Sequence, residues 1–172
     1  MTKRIVIHEE HCIGCRLCEV HCLVQHSSSK DIVKAYNAER SHLMPRLTVE
    51  EEGPVSFALQ CRQCTEPSCV EACVSGAMHR DPITGTVICD EQKCVGCWMC
   101  IMVCPVGAIQ QNLLGNKIAS KCDLCYGADM PACVAHCPNE ALTFETVSEN
   151  EAAGADDAFA EDDPDRSQGA LS

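Results

Sequence analysis

Sixteen of the 17 cysteines fall into four groups of four, and no other feature of the chain constrains its fold as strongly. Within each group, the cysteines are only a few residues apart. The groups are motif I (Cys12, Cys15, Cys18, Cys22), motif II (Cys61, Cys64, Cys69, Cys73), motif III (Cys94, Cys97, Cys100, Cys104) and motif IV (Cys122, Cys125, Cys133, Cys137). Cys89 alone stands outside them.

Motifs I and III have the spacing C-x2-C-x2-C-x3-C. This is the run by which bacterial ferredoxins hold a 4Fe-4S cluster, and its fourth cysteine ligates the other cluster of a pair. Motif III also ends in Cys104-Pro105, as that run does. A tetrahedral zinc site uses two short pairs separated by a longer loop, which neither motif has. The two motifs therefore predict paired 4Fe-4S clusters.

Motifs II and IV are looser, with the spacings C-x2-C-x4-C-x3-C and C-x2-C-x7-C-x3-C. Taken alone, either could bind zinc, because two short cysteine pairs suit a tetrahedral ion. Beside motifs I and III, we expect them to bind iron-sulfur clusters as well, which makes sixteen cysteine ligands for four 4Fe-4S clusters.

The amino-terminal sequence and the composition indicate a cellular compartment. A short, cysteine-rich chain would predict a disulfide framework if it were secreted. Residues 1–12 contain no apolar signal region, and no stretch approaches the length of a membrane span. We therefore expect a reduced, cytoplasmic protein with no membrane insertion. Aromatic residues are only 3 % of the chain, so the clusters are expected to replace part of an ordinary core.

The formal net charge is −12, and four clusters with their thiolates would make it roughly −20. Such a surface disfavours nucleic acid as a partner. Eight acidic residues and one Arg lie in 147–172, which predicts a disordered acidic tail, with a docking peptide as the alternative. The sequence has no dinucleotide fingerprint, P-loop or nucleophile-base pair, so a non-catalytic protein is expected.

Internal repeats give the organisation of the chain. A shift of 82 residues lays 5–22 onto 87–104, so motifs I and III are two copies of one strand-loop-helix unit. Motif II resembles motif IV in the same way, since 67–73 matches 131–137. Short strands are predicted to begin at Gly76, Gly107 and Glu140, after the fourth cysteines of motifs II, III and IV.

Turn chemistry suggests which motifs pair. The turn at 81–85, followed by a short apolar strand, predicts a hairpin that links motif II to motif III. We therefore predict an α+β fold of two ferredoxin-like two-cluster units, one inserted into the other. Unit A comprises 1–22 and 110–146 (motifs I and IV), the insertion 23–60 carries a β-hairpin, unit B is 61–109 (motifs II and III), and 147–172 is the tail.

The four motifs in this order, with a hairpin leading into Cys61-Arg62-Gln63-Cys64, resemble the four-cluster iron-sulfur subunits of the dimethyl sulfoxide reductase electron-transfer family. The resemblance covers about 1–145. It implies four cluster sites: site 1 (Cys12, Cys15, Cys18, Cys137), site 2 (Cys61, Cys64, Cys69, Cys104), site 3 (Cys94, Cys97, Cys100, Cys73) and site 4 (Cys122, Cys125, Cys133, Cys22). Leu23 and Val74 depart from the family pattern, which has proline after the fourth cysteine.

The resemblance also implies a function, the relay of single electrons between a larger catalytic oxidoreductase subunit and an acceptor protein. The compact chain is most similar to the small subunits of soluble complexes, and a tungsten aldehyde oxidoreductase is the favoured partner. Carbon monoxide dehydrogenase, formate dehydrogenase and hydrogenase partners, with molybdenum or nickel-iron, remain alternatives, as does a freely diffusing polyferredoxin. An enzyme or a redox sensor is disfavoured, because every motif has its full set of cysteines and no room remains for an output domain.

Three residues near the motifs have two interpretations each. Cys89 occupies the place of Ile7 in the repeat, which favours a buried apolar role over that of a spare ligand. His21 and His136 each precede a fourth cysteine. An imidazole so placed could couple a cluster potential to pH, but an ordinary helix-surface histidine is the favoured interpretation.

Overall fold

The computed structural model describes residues 2–114 and 117–147. The predicted acidic tail, apart from Val147 at its start, lies outside the described residues. Strands and helices alternate along the described chain, in agreement with the predicted mixture of the two.

All strands form antiparallel pairs of two. Each pair is named by its strands: β1 (Thr2–Ile7) with β8 (Leu142–Val147), β2 (Leu47–Glu52) with β3 (Val55–Gln60), β4 (Met78–Arg80) with β5 (Val87–Cys89), and β6 (Gln110–Asn112) with β7 (Ile118–Ser120). Two-stranded ribbons are marginal by themselves, so they depend on what packs between them.

The helices of the described residues are short, and four of these five carry motif cysteines. They are α1 (Leu17–Gln25), α2 (Ile32–Lys34), α3 (Ser68–Glu71), α4 (Met99–Met102) and α5 (Ala132–Ala135). A 3₁₀ turn at Glu9–His11 precedes motif I, and a π-helical turn at Ala35–Glu39 follows α2. No helix within 2–114 and 117–147 has the length and apolar character needed to cross a membrane.

The first and last strands join the two ends of the described chain. Ile5 of β1 lies opposite Phe144 of β8, and His8 donates its backbone N–H to the carbonyl of Ala141 at 2.8 Å. Helix α1, which carries Cys18 and Cys22 of motif I, packs against α5 of motif IV. Motifs I and IV therefore lie together, although about a hundred residues separate them.

Both hairpins expected from turn residues are present. The β2–β3 hairpin turns at Gly53, which has φ +58°, and the β4–β5 hairpin pairs Met78 with Cys89. Asp81 caps the second turn by accepting hydrogen bonds from the backbone N–H groups of Ile83 and Thr84. Short strands also begin two residues after Gly76 and after Glu140, and three residues after Gly107.

Two hydrophobic cores form around the cysteines. Four cysteines are among the ten buried residues of the first core, which are Ile5, Cys18, Cys22, Leu47, Val49, Ala58, Cys122, Leu124, Cys133 and Leu142. The second core contains Met78, Val87, Cys100, Ile109 and Ala119. The β2–β3 hairpin contributes Leu47, Val49 and Ala58, so the insertion covers motifs I and IV.

Two elements differ from the predicted boundaries. Helix α1 continues beyond Cys22 to Gln25, because Leu23 and Val24 extend the helix where a proline would have stopped it. Ala119 on β7 packs in the second core, although 110–146 was expected to belong to unit A. The apolar pair Ile118-Ala119 is 8 % and 5 % exposed, and its burial draws the β6–β7 hairpin toward unit B.

Candidate iron-sulfur sites

The loops of motifs I and III have the same backbone conformation. Gly14 and Gly96 have φ of 64° and 66°, and Arg16 and Trp98 have φ of 58° and 65°. Two residues with positive φ within three positions bend the loop tightly, so that the first three cysteines surround a single cavity. A helix starts directly after Arg16 or Trp98 and carries the third cysteine, Cys18 or Cys100. The fourth cysteine is farther along the chain: Cys22 lies within α1, and Cys104 lies two residues after α4 ends.

Motifs II and IV share a different loop. Gln63 and Leu124 occupy equivalent places between the first two cysteines, and both are left-handed, with φ of 54° and 57°. The third cysteine of each motif then lies on a helix, Cys69 on α3 and Cys133 on α5. The looser spacing therefore forms a cysteine loop of the same general shape in both motifs.

Three of the four predicted cysteine sets each line one cavity. Each cavity combines three cysteines of one motif with the fourth cysteine of another. The sets are Cys12, Cys15, Cys18 and Cys137 (site 1), Cys61, Cys64, Cys69 and Cys104 (site 2), and Cys73, Cys94, Cys97 and Cys100 (site 3). Apolar residues line much of the remaining cavity wall, for example Val49 and Leu142 at site 1 and Ile109 at site 2.

The four cysteines of site 4 meet at the first core, which contains three of them. Burial raises the pKa of the Cys133 thiol, and Cys122, Cys22 and Cys125 lie close enough to raise it further. Cys22, Cys122, Cys125 and Cys133 are all buried. Site 4 is therefore the most enclosed of the four sites.

Backbone N–H groups point at several sulfur atoms. The N–H of Arg46 donates to Cys22 Sγ at 3.2 Å, and that of Met78 donates to Cys73 Sγ at 3.2 Å. Similar contacts of 3.4–3.5 Å reach the sulfurs of Cys94, Cys122 and Cys125. Such hydrogen bonds favour thiolate over thiol, and they stabilise the sulfur ligands of iron-sulfur clusters.

Burial makes a bare thiolate costly at these positions. It raises the pKa of the Cys18 thiol to about 12, and it raises the pKa of Cys69 to about 11 although Lys121 acts in the opposite direction. A metal that replaces the proton removes this cost, so binding and folding are coupled. The donor set is all sulfur, which suits iron-sulfur clusters or zinc.

The sulfur arrangement bears on the choice between these two. A tetrahedral zinc ion with Zn–S bonds of about 2.3 Å would hold its sulfur ligands about 3.8 Å apart. Within 2–114 and 117–147, no three His, Cys, Asp or Glu side chains converge closely enough to hold a single metal ion. The cysteines line cavities at sites 1, 2 and 3 instead, which fits a group large enough to fill the space.

Cys89 lies closer to a site than its repeat position suggests. It is partly exposed, packs against the second core and lines the site 3 cavity with four other cysteines. Burial raises the pKa of its thiol to about 12, and the neighbouring Cys94 adds to this effect. The structure thus places a fifth thiol at site 3, next to Cys94.

The two histidines before the fourth cysteines are in contact. The rings of His21 and His136 stack, with centroids 3.6 Å apart and an interplanar angle of 11°. Burial lowers the pKa of His21, and the charge of His136 lowers it further. The pair joins α1 to the residue that follows α5, and His136 remains exposed.

An ion-pair network that no sequence motif predicted surrounds Asp123. The carboxylate of Asp123 accepts hydrogen bonds from His26 Nε2 at 3.1 Å and from Arg46 at 2.7 Å, and Arg46 also reaches Glu91 at 3.2 Å. Burial would raise the pKa of Asp123, but His26 and Arg46 outweigh it and hold the pKa at about 2. The network ties the insertion to motif IV and to the loop that precedes motif III.

Two further residues join the halves of the molecule, and neither was predicted from the sequence. Gln63, 3 % exposed, accepts the N–H of Val87 at 2.8 Å and donates to the carbonyl of Cys122 at 3.1 Å. Lys121, 2 % exposed, donates to the carbonyl oxygens of the same two residues. The only sequence cue was their place within or next to a cysteine motif.

The equivalent glycines of motifs I and III allow a matched test of the loop geometry. A Cβ on Gly96 would clash with the backbone oxygen of Lys117, whereas a Cβ on Gly14 would meet the flexible Glu51 side chain at 3.3 Å. Both glycines have a left-handed backbone conformation, so substitution by alanine costs about 1–2 kcal/mol of folding stability at either position. The backbone clash should add about 1–3 kcal/mol at Gly96 alone.

We therefore expect Gly96→Ala to lower the stability of the iron-loaded protein clearly more than Gly14→Ala. The measurement is the denaturant midpoint of each variant under anaerobic conditions, with iron content determined alongside. Equal midpoints for the two variants would contradict the close approach of Lys117 to the motif III loop.

Comparisons with known proteins indicate the family of the chain. A family described as "4Fe-4S dicluster domain" matches residues 55–147, more than half of the chain. The chain is 36% identical over 157 residues to "Electron transport protein HydN" of Escherichia coli K12, with 83% of this chain and 87% of that protein covered. It is 33% identical over 155 residues to a subunit of the anaerobic dimethyl sulfoxide reductase of the same organism, with 83% and 73% covered.

Among solved structures, one subunit from "Active site complex BamBC of Benzoyl Coenzyme A reductase in complex with Benzoyl-CoA" aligns with a TM-score of 0.46 at 24% identity, covering 90% of this chain and 86% of that one. The family match covers motifs II, III and IV, and the match to HydN extends over most of the chain. Together with the cysteine sites, these matches show that the chain is an iron-sulfur electron-transfer protein and belongs to the 4Fe-4S dicluster domain family.

Proposed function

We propose that the chain holds four 4Fe-4S clusters, at sites 1 to 4 with the ligand sets given above. The shared cavities at sites 1, 2 and 3 and the buried convergence at site 4 support this assignment. Each set takes three cysteines from one motif and one from its partner motif, as expected for paired clusters. The insertion of unit B into unit A is part of the same proposal, and the pairing of β1 with β8 supports it.

The residues around the sites have separate roles. Thiolates bind iron, backbone N–H groups such as those of Arg46 and Met78 stabilise the sulfur charge, and the apolar core residues exclude water. A 4Fe-4S cluster, when bound, accepts and releases single electrons. None of these roles requires a catalytic side chain, which agrees with a non-catalytic subunit.

One observation supports the function of an electron wire: packing contacts link the four proposed sites in a series whose two ends are exposed. Site 1 contacts site 4, because α1 packs on α5. Site 4 contacts site 2, because Cys61 lies close enough to Cys122 to raise the pKa of its thiol beyond the effect of burial. Site 2 contacts site 3 through the packing of α3 on α4. The series therefore runs in the order 1, 4, 2, 3.

The two ends of the series reach the surface. Cys15 of site 1 and Cys97 of site 3 are the two exposed cysteines among the described residues. Apolar side chains flank both ends: Ile13 and Leu17 are 63% and 40% exposed, and Val95 and Met99 are 68% and 45% exposed. A wire needs this arrangement, since each terminal site must come close to a redox centre on another protein.

The chain is thus proposed to serve, in the cytoplasm, as the electron-transfer subunit of a larger catalytic oxidoreductase. HydN is named an electron transport protein and the other relative is part of a reductase, which supports a role with a partner enzyme. The preference for a tungsten aldehyde oxidoreductase rests on the sequence resemblance. Carbon monoxide dehydrogenase, formate dehydrogenase and hydrogenase remain the alternatives.

An anaerobic pull-down from the source organism, followed by metal analysis, tests this function. Tungsten in the eluate, with a large companion subunit, is the expected result. Molybdenum or nickel would identify one of the alternative partners. A monomer without a companion would contradict a dedicated subunit and favour a freely diffusing polyferredoxin.

A further inference from the structure

Gln60 is a buried amide without a hydrogen-bond partner. It is the last residue of β3 and is 1 % exposed. Within 2–114 and 117–147, neither its nitrogen Nε2 nor its oxygen Oε1 finds a partner. A buried polar group that is left unpaired destabilises a fold, so nearly all such groups are hydrogen-bonded. This position therefore calls for a partner other than the described backbone and side chains.

The register of the β2–β3 hairpin shows where the amide lies. Gln60 is directly opposite Leu47, and Ala58 is opposite Val49. Directly opposed residues of an antiparallel pair share a face with the alternate residues of each strand. The other three residues are all buried in the first core. The Gln60 side chain therefore enters that core as well.

Within the first core, the position of Gln60 selects site 4. The next pair of the hairpin lines the site 1 cavity, whereas Gln60 lines none of the cavities described for sites 1, 2 and 3. Its partner Leu47 directly follows Arg46 in the chain. The backbone N–H of Arg46 donates to Cys22 Sγ of site 4 at 3.2 Å, so this end of the hairpin lies against site 4.

Site 4 also has a use for a donor. Its cysteines are all buried, so hydrogen bonds to its sulfur atoms must come from the protein. Backbone N–H groups donate to three of the four, the sulfurs of Cys22, Cys122 and Cys125. Because metal-bound sulfur accepts hydrogen bonds, the NH₂ group of the Gln60 amide is the half that suits this site. The amide oxygen is the half that a buried water can satisfy.

Other buried polar groups are already engaged. Ser56, on the same face of the hairpin, donates to the carbonyl oxygen of Cys12 at 3.2 Å. Gln63 uses both ends of its amide, one on Val87 and the other on Cys122. Apart from one nitrogen of Arg4, the remaining buried side-chain nitrogen and oxygen atoms of the described residues have partners as well. Gln60 is therefore the amide that is available to donate in this core.

We propose that the side-chain N–H of Gln60 donates a hydrogen bond to a sulfur atom of the cluster bound at site 4, and thereby raises the reduction potential of that site. The inference rests on the proposed four-site function. One electron from an external reductant adds one negative charge to the iron and sulfur atoms, and no proton moves and no bond breaks. A hydrogen bond to sulfur stabilises the more negative state more, so it makes the site easier to reduce.

Two variants test the donor. Gln60→Met removes the amide and keeps the length of the side chain, and Gln60→Asn withdraws the amide by one carbon. Gln111→Met is the matched control, because Gln111 is an exposed strand residue. The readout is a redox titration followed by electron paramagnetic resonance, on anaerobic protein with measured iron content. Cys125→Ala lacks a ligand of site 4 and identifies the signal of that site by its absence.

Both Gln60 variants should keep their iron and show a lower reduction potential at site 4. The equilibrium constant for reduction should fall about tenfold, which is about 59 mV for one electron. The other three potentials should stay in place, and Gln111→Met should leave all four unchanged.

A second measurement uses the unmodified protein. Its glutamine side chains are labelled with the heavy nitrogen isotope, and the reduced site 4 signal should then show a hyperfine coupling to nitrogen. A hydrogen bond carries spin density from sulfur to the donor, so this coupling should disappear from labelled Gln60→Met.

Four unchanged potentials, a shift at a site other than site 4, or a nitrogen coupling that persists in Gln60→Met would overturn the proposal. Loss of iron in both Gln60 variants would also overturn it, because Gln60 would then act on assembly of the site. Failure of the four-site function is a different result: the unmodified protein would itself lack four one-electron signals.

Discussion

Cys104→Ala is expected to remove one whole cluster, about four of about sixteen irons, and to remove it from site 2. Cys104 belongs to motif III in the sequence, but it lines the cavity of Cys61, Cys64 and Cys69. Its loss should therefore empty the site formed by motif II and leave site 3 intact. Iron content after anaerobic purification is the first measurement.

Double variants separate the two sites. Cys61→Ala with Cys104→Ala should lose no more iron than either single variant, because both residues serve one site. Cys97→Ala with Cys104→Ala should lose about eight irons, because they serve two. The opposite pattern would mean that each motif holds its own cluster.

Cys89→Ala is the matched control for the single and the double cysteine variants. Cys89 lies beside site 3, next to Cys94, but three motif III cysteines and Cys73 already supply four ligands there. Full iron content is therefore expected in this variant. Loss of about four irons would make Cys89 a ligand and would displace one of the other four.

Removal of iron is expected to abolish the cooperative unfolding transition. Four of the ten buried residues of the first core are cysteines that lie around sites 1 and 4, and aromatic residues are only 3 % of the chain. Without clusters, the strand pairs and short helices would enclose protonated thiols and unfilled space, which cannot support a fold of this size. The loss of stability on removal of iron should exceed the loss caused by any single substitution described above.

Circular dichroism during heating measures this effect, before and after anaerobic treatment with a chelator. A thiol reductant must be present throughout, so that disulfides do not replace the missing metal. Addition of iron and sulfide should restore the transition. An apoprotein with an unchanged cooperative transition would show that the chain packs its core without clusters.

The sequence predicted the parts of the fold that are set locally. Turn residues and cysteine spacing act over a few residues, so the cysteine loops around Gly14 and Gly96 and the hairpin that turns at Gly53 could be identified. The relation of motif I to motif III was visible as a repeat, and the loops have matching backbone angles. The resemblance to a known family supplied the exchange of fourth cysteines.

The contacts between distant segments could not be predicted in this way. Lys121 and Gln63 meet at Val87 and Cys122 because three separate segments converge there, and no spacing in the sequence encodes that meeting. The stacking of His21 on His136 likewise depends on how α1 packs against α5. The place of Ala119 in the second core likewise depends on packing between segments that are distant in the sequence.

The most direct test of the central claim is the content of iron, zinc and acid-labile sulfide per chain, measured on protein purified without oxygen. Four 4Fe-4S clusters predict about 16 irons and about 16 sulfides, no zinc, and broad absorbance that bleaches with dithionite. About 12 irons with one bound zinc ion would contradict the claim, since one of the looser motifs would then be a tetrahedral zinc site.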